Sequence, residues 1–158
     1  MFKMSGLFVY LTIFILGAIP LFEATFVVPI AILGGSNLFL SLIAGISGNF
    51  LTIILVVIFS EKVKDWFMKN KESRRSQRAQ GIWEKFGFHG FVLLGPILLS
   101  SHVSAIAAVS FGATRTKTIA YVTLSLIIWT LPLAILAHYG VDFLGLEDMQ
   151  FLRRYLDS

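Results

Sequence analysis

Apolar residues in this chain come in long runs, not in alternation, and a few clusters of Pro, Gly and polar residues interrupt them. Leu7–Ala18 is the first run. A bilayer-spanning helix needs roughly 20 residues, so this run is marginal alone and is expected to feed into the next segment. It resembles a signal-peptide core, with Leu16-Gly17-Ala18 imitating a cleavage site. The sequence stays apolar afterwards, so cleavage is not expected. Residues 19–35 carry Pro20, Glu23, Thr25 and Pro29, and Gly34-Gly35-Ser36-Asn37 forms a turn cluster. An interior proline removes a backbone hydrogen bond and clashes with the preceding turn. The segment is too short to cross a bilayer and return as full helices. It predicts two half-length pieces, a re-entrant hairpin at about 19–35. The alternative pattern is one kinked helix from Leu7 to Leu33.

Residues 37–59 form a clean span, about 34 Å long at the helical rise. Its first half is small and polar, with Ser41, Ala44, Gly45, Gly48 and Asn49, a spacing that lets another backbone approach. Residues 60–88 read as two amphipathic surface helices joined by a solvated turn, with Trp66 and Trp83 at headgroup level and Arg74 and Arg75 between them. Residues 89–113 repeat the earlier break. Gly95-Pro96 interrupts the apolar run, Ser100-Ser101-His102 is polar, and Gly112 closes it, so a second re-entrant hairpin is expected. Residues 118–139 form the last span, which Pro132 should kink. Residues 141–158 are a tail expected outside.

Composition places these elements in a membrane. Of 158 residues, 56% are hydrophobic, above the roughly 45–50% of soluble chains. The expected class is therefore an all-α integral membrane protein in one domain. The net charge of +4 is concentrated in residues 61–85, where eight Lys and Arg face four acids. That pattern describes a positive loop between spans, not a nucleic-acid surface. It places the N-terminus and residues 60–88 in the cytoplasm, as a multi-pass protein of the cell membrane. The absence of cysteine excludes disulfides and thiolate chemistry. Histidines at 89, 102 and 138 make no zinc signature, and no cofactor or metal is expected.

The candidate chemistry sits at the breaks. A charge at a helix centre in the bilayer costs about 2.5–3.5 kcal/mol on insertion scales, so Glu23 needs polar company. Glu23, Thr25 and Pro29 from the first break, Asn49 from the first span, and Ser101 and His102 from the second break are the expected substrate or proton pathway, with Glu23 facing Ser101 and His102 near the midplane. The order of break, glycine turn and span occurs twice. By charge, the first hairpin opens outside and the second inside. That is an inverted-topology repeat, the architecture behind alternating access in several transporter folds.

Pro20-x-x-Glu23 followed by Pro29, with Gly48-Asn49 in the next span, resembles the small multidrug export protein family, short relatives of the DedA/VTT membrane proteins. Thr25 stands where that family's pattern carries Arg. Without that cation, Glu23 must find a hydroxyl, His102 or water, or carry a proton. The resemblance covers roughly residues 18–140. It implies membrane transport and matches Glu23, Pro29, Gly48 and Asn49.

The reading is a small membrane transporter, proton-linked through Glu23, for an amphipathic or lipid-like substrate. The alternative is a non-transporting scaffold acting through its basic surface helices. An enzyme is not expected, because Ser100, Ser101 and His102 are adjacent on one segment and no nucleophile turn accompanies them. Expected partners are membrane lipid and the substrate. A chain of this size encloses little volume alone, which is compatible with a homodimer.

Overall fold

In the computed structural model, residues 6–20, 22–59 and 74–144 are described. Six helices account for nearly all of them: α1 (Gly6–Ala18), α2 (Glu23–Leu33), α3 (Leu38–Ile58), α4 (Arg74–Leu98), α5 (Ser101–Ser110) and α6 (Arg115–Leu144). Among the described residues, α3 and α6 are the helices long and apolar enough to cross a membrane. Large apolar side chains are widely exposed on the long spans, and several polar side chains are buried beside an apolar core. Phe39, Ile43, Leu51, Leu55, Leu124 and Leu136 are exposed, while Glu23, Ser41, Asn49, Ser101, His102 and Thr130 are buried. Apolar residues outside and polar residues inside are what hydrocarbon solvent selects.

The chain divides into two compact units, residues 1–49 with 127–158, and residues 50–126. In the first unit, α1 and α2 pack together as a helical hairpin. Val9 and Ile13 of α1 meet Val27 and Ala31 of α2, with Tyr10, Leu16 and Ala44 around them. The amide of Asn37, just past α2, donates to Tyr10 Oη at 3.2 Å, so the far end of α2 returns to the start of α1. Small residues let α3 approach this pair. A Cβ on Gly17 would stand 2.6 Å from Gly45 O, and one on Gly45 would strike Val28 Cγ2. Asn37 then caps α3, its Oδ1 accepting from the amides of Phe39 and Leu40.

The second unit holds its own helix pair. Gly87, at φ 63 and ψ −169, interrupts α4, leaving an apolar arm from Phe88 to Leu98. That arm packs on α5. Gly95 lies at the contact, where a Cβ would stand 2.7 Å from Ser104 Cβ. Ser125 Oγ of α6 donates to Leu93 O at 2.9 Å.

Several expectations are corrected here. The arms of the first hairpin are α1 and α2, which end at Ala18 and begin at Glu23, not two pieces within 19–35. Pro29 does not break the chain; it lies inside α2. Gly95 and Pro96 are not the second break either. α4 runs through both to Leu98, and the break falls at residues 99–100. In an apolar setting the backbone has no other hydrogen-bond partner, so a helix bears one proline before it opens. The last span starts three residues early, at Arg115, and α6 continues through Pro132 to Leu144. Gly35 and Gly112 are turn residues, at φ 96 and 100. Each sits in the same pattern of bonds. Ser36 N reaches Ala31 O and Gly35 N reaches Ile32 O, while Ala113 N reaches Ala108 O and Gly112 N reaches Val109 O. Both are Schellman motifs, which need a left-handed residue at that position.

Candidate functional site

Each hairpin tip is marked by a residue with backbone strain. Glu23 has φ 40 and Ser100 has φ 111; neither is glycine. A side chain held in this region costs about 1–3 kcal/mol and persists where the surroundings fix it. The two positions are separated along the chain by the same interval as Gly35 and Gly112. That interval also carries the boundary of the two units at Asn49 onto the one at Leu126.

In the first unit, Glu23 opens α2 and is 1% exposed. A carboxylate at the first position of a helix meets the positive end of its dipole. Thr25 is buried, with its Oγ1 3.4 Å from Thr130 Oγ1 on α6. Asn49 is fully buried on α3. Pro29 is half-buried farther along α2. In the second unit, Ser101 and His102 form the first turn of α5, both buried. His102 Nε2 lies 2.7 Å from Thr52 Oγ1 on α3, and its Nδ1 lies 3.3 Å from Ser101 Oγ. Both ring nitrogens therefore face hydroxyls, which can donate or accept, so either neutral tautomer is accommodated.

Thr52 and Thr130 were not legible as site residues. Each is one of several hydroxyls in its span, and their partners lie 50 and 105 residues away along the chain. The available signal was only that a threonine stands where a span elsewhere carries Ile or Leu. Thr25 in α2 and His102 in α5 are separated by the same interval as Gly35 and Gly112, and each meets a threonine hydroxyl of a long span, Thr130 on α6 and Thr52 on α3.

Trp66 lies outside the described residues. Arg74 and Arg75 open α4. Trp83 is half-buried, with its ring 5.0 Å from Phe111, 5.5 Å from Phe91 and 6.2 Å from Phe88. It is thus a packing residue of the second unit. Among the described residues no group of three His, Asp or Glu side chains could hold a metal ion.

Residues 23–131 match the family described as "putative small multi-drug export protein". The matched segment starts at Glu23 and takes in both glycine turns, His102 and Thr130. No curated protein and no solved structure matches the chain. The match covers well over half of the sequence, so the chain belongs to the small multi-drug export protein family.

Proposed function

We propose that the chain is a membrane transporter for an amphipathic or lipid-like substrate, with Glu23 as its proton carrier. The observation that carries this reading is the burial of Glu23 at a strained hairpin tip, in a chain whose outer surface is apolar. An ionisable side chain within an intramembrane hairpin marks a substrate or proton path by default, and a proton-linked cycle needs one group there that can carry a proton. His102, between Thr52 and Ser101, is the second group able to pass a proton.

By the positive-inside rule, the positive stretch at residues 61–85, with Arg115 and Lys117 at the start of α6, favours the cytoplasmic side of the cell membrane for those segments. In that orientation the hairpin of α1 and α2 enters from outside and that of α4 and α5 from inside. The two halves then form an inverted-topology repeat of re-entrant hairpins. The equal separations of tips, glycine turns and unit boundaries support this reading. The family match supports transport over catalysis.

The test is flux in reconstituted vesicles under an imposed pH gradient, with ethidium and an NBD-labelled phospholipid as probes. Wild type should move at least one probe at a rate set by the gradient. Glu23→Gln should fall to the rate of protein-free vesicles. Gradient-dependent flux at the wild-type rate in Glu23→Gln would defeat the proton-carrier role.

A further inference from the structure

We infer that an aromatic pocket beside the first turn of α6 binds an amphipathic anion, an aryl or acyl group bearing one phosphate or carboxylate head. The pocket lies wholly within the second unit and has a volume of about 400 Å³. That is the size range of small-ligand sites, roughly 300–1,000 Å³. Its walls are Trp83, Phe88, His89 and Phe111, and its rim carries Thr114 and Lys117.

The walls exist because of a local backbone event. The break at Gly87 turns the start of α4 so that Trp83 packs edge-on to Phe88 and tilted against Phe111. Phe88 and His89 are each held edge-on by Tyr121, at 5.5 Å. The aromatic surface is therefore supported from behind. Gly112 contributes space. Its φ of 100 excludes other residues at low cost, and a Cβ there would meet nothing within 4 Å.

The formal charge on the pocket lining has one sign. Lys117 lines the pocket, and no acid does among the described residues. The nearest acid in sequence to Trp83 is Glu84, which is exposed and accepts from Gln80 Nε2 at 2.9 Å. The first turn of a helix adds partial positive charge and amide donors on the same side. An anionic head fits Lys117, Thr114 and that turn, while an apolar body fits the rings. A cation would be repelled, and a neutral ligand would forgo the charged contact.

A second pocket of about 410 Å³, lined by Arg78, Lys85, Phe86 and Leu98, serves as the internal control. There Lys85 Nζ lies 5.2 Å over the Phe86 ring, a weak attraction at an exposed site, and Lys85 does not line the aromatic pocket.

The experiment is a calorimetric titration of the full chain in phosphatidylcholine nanodiscs with 2-naphthyl phosphate. Saturable binding is expected, with 2-naphthol at least about tenfold weaker, as for loss of a charge-assisted contact. Inorganic phosphate alone should not displace the probe. Lys117→Gln should weaken binding about tenfold or more, while Lys85→Gln should stay within about twofold. Thr114→Asp, which sets a like charge at the rim, should abolish binding and gives a second reading if Lys117→Gln fails to fold. Adding phosphatidic acid to the discs distinguishes the source. Loss of probe binding assigns the pocket to an anionic lipid, and retained binding assigns it to a soluble amphipathic anion. Absence of saturable binding, equal binding of 2-naphthol, or an unchanged Lys117→Gln variant would overturn the assignment.

Discussion

Gly48→Ala should destabilise the first unit, and the structure fixes why. A Cβ at Gly48 would lie 2.9 Å from the carbonyl carbon of Phe14 and 3.2 Å from Ala18 N, and closer still to Phe14 O. All three atoms belong to the backbone of α1, which cannot rotate aside as a side chain does. α1 must therefore back away from α3. It is also pinned at Gly17, where a Cβ would stand 2.6 Å from Gly45 O, and at the cluster of Val9 and Ile13 with Val27 and Ala31. Moving it loosens that cluster. Overpacking of this kind costs about 1–3 kcal/mol. Gly81→Ala is the matched control, since a Cβ there meets nothing within 4 Å and the site is inside α4. It should gain about 0.8–1.0 kcal/mol from helix propensity alone. The same chemical change thus moves stability in opposite directions at two sites. Membrane proteins often unfold irreversibly, so the assay is the half-life of the folded form in detergent at fixed temperature. The half-life should shorten for Gly48→Ala and lengthen for Gly81→Ala. A Gly48→Ala variant as long-lived as wild type would refute the close approach of α1 and α3.

Two further substitutions test the tips. Ser100→Gly relieves a φ of 111 and should stabilise the chain by about 1 kcal/mol, while Ser100→Ala keeps the strain and gains nothing; thermal inactivation rates of the pair decide it, and a shortened half-life for Ser100→Gly counts against the strained tip. Thr52→Val removes the 2.7 Å contact with buried His102 and should cost about 1–3 kcal/mol, whereas Thr52→Ser keeps it. The ring nitrogen shifts of His102, read by ¹⁵N NMR, should move in Thr52→Val and stay in Thr52→Ser; unchanged shifts in both would remove Thr52 as its partner.

The long spans and the glycine turns were legible because each rests on local sequence. The span expected at 37–59 is α3 at Leu38–Ile58, since an unbroken apolar run leaves a helix no competitor in hydrocarbon. Gly35 and Gly112 end helices because a left-handed residue is needed there and glycine supplies it. Pro29 and Pro96 misled, since a proline is a local signal of breakage while the apolar surroundings favour keeping the helix. The tips gave no signal of their own kind. Positive φ falls on Glu23 and Ser100, residues that seldom adopt it, and the surrounding fold imposes it. Gly95 looked like a flexible break but is small because Ser104 packs on it. The candidate site was half legible: Glu23, Thr25, Asn49, Ser101 and His102 stood out as polar groups in apolar sequence. Their partners Thr52 and Thr130 depend on contacts far along the chain, which no local pattern encodes. Residues 60–73, with Trp66, lie outside the described residues.

The central claim is that the two hairpins enter the membrane from opposite faces, and a natural feature of the chain makes it directly testable. The sequence contains no cysteine, so single-cysteine variants need no background substitutions. Asn37 and Thr114 occupy matching places just before α3 and α6, and both are exposed. Asn37→Cys and Thr114→Cys, probed with a membrane-impermeant maleimide in right-side-out vesicles before and after permeabilisation, report the two turns separately. The account predicts that Asn37→Cys reacts in intact vesicles and Thr114→Cys only after permeabilisation. Reaction of both from the same face would contradict the inverted repeat and the alternating-access reading built on it.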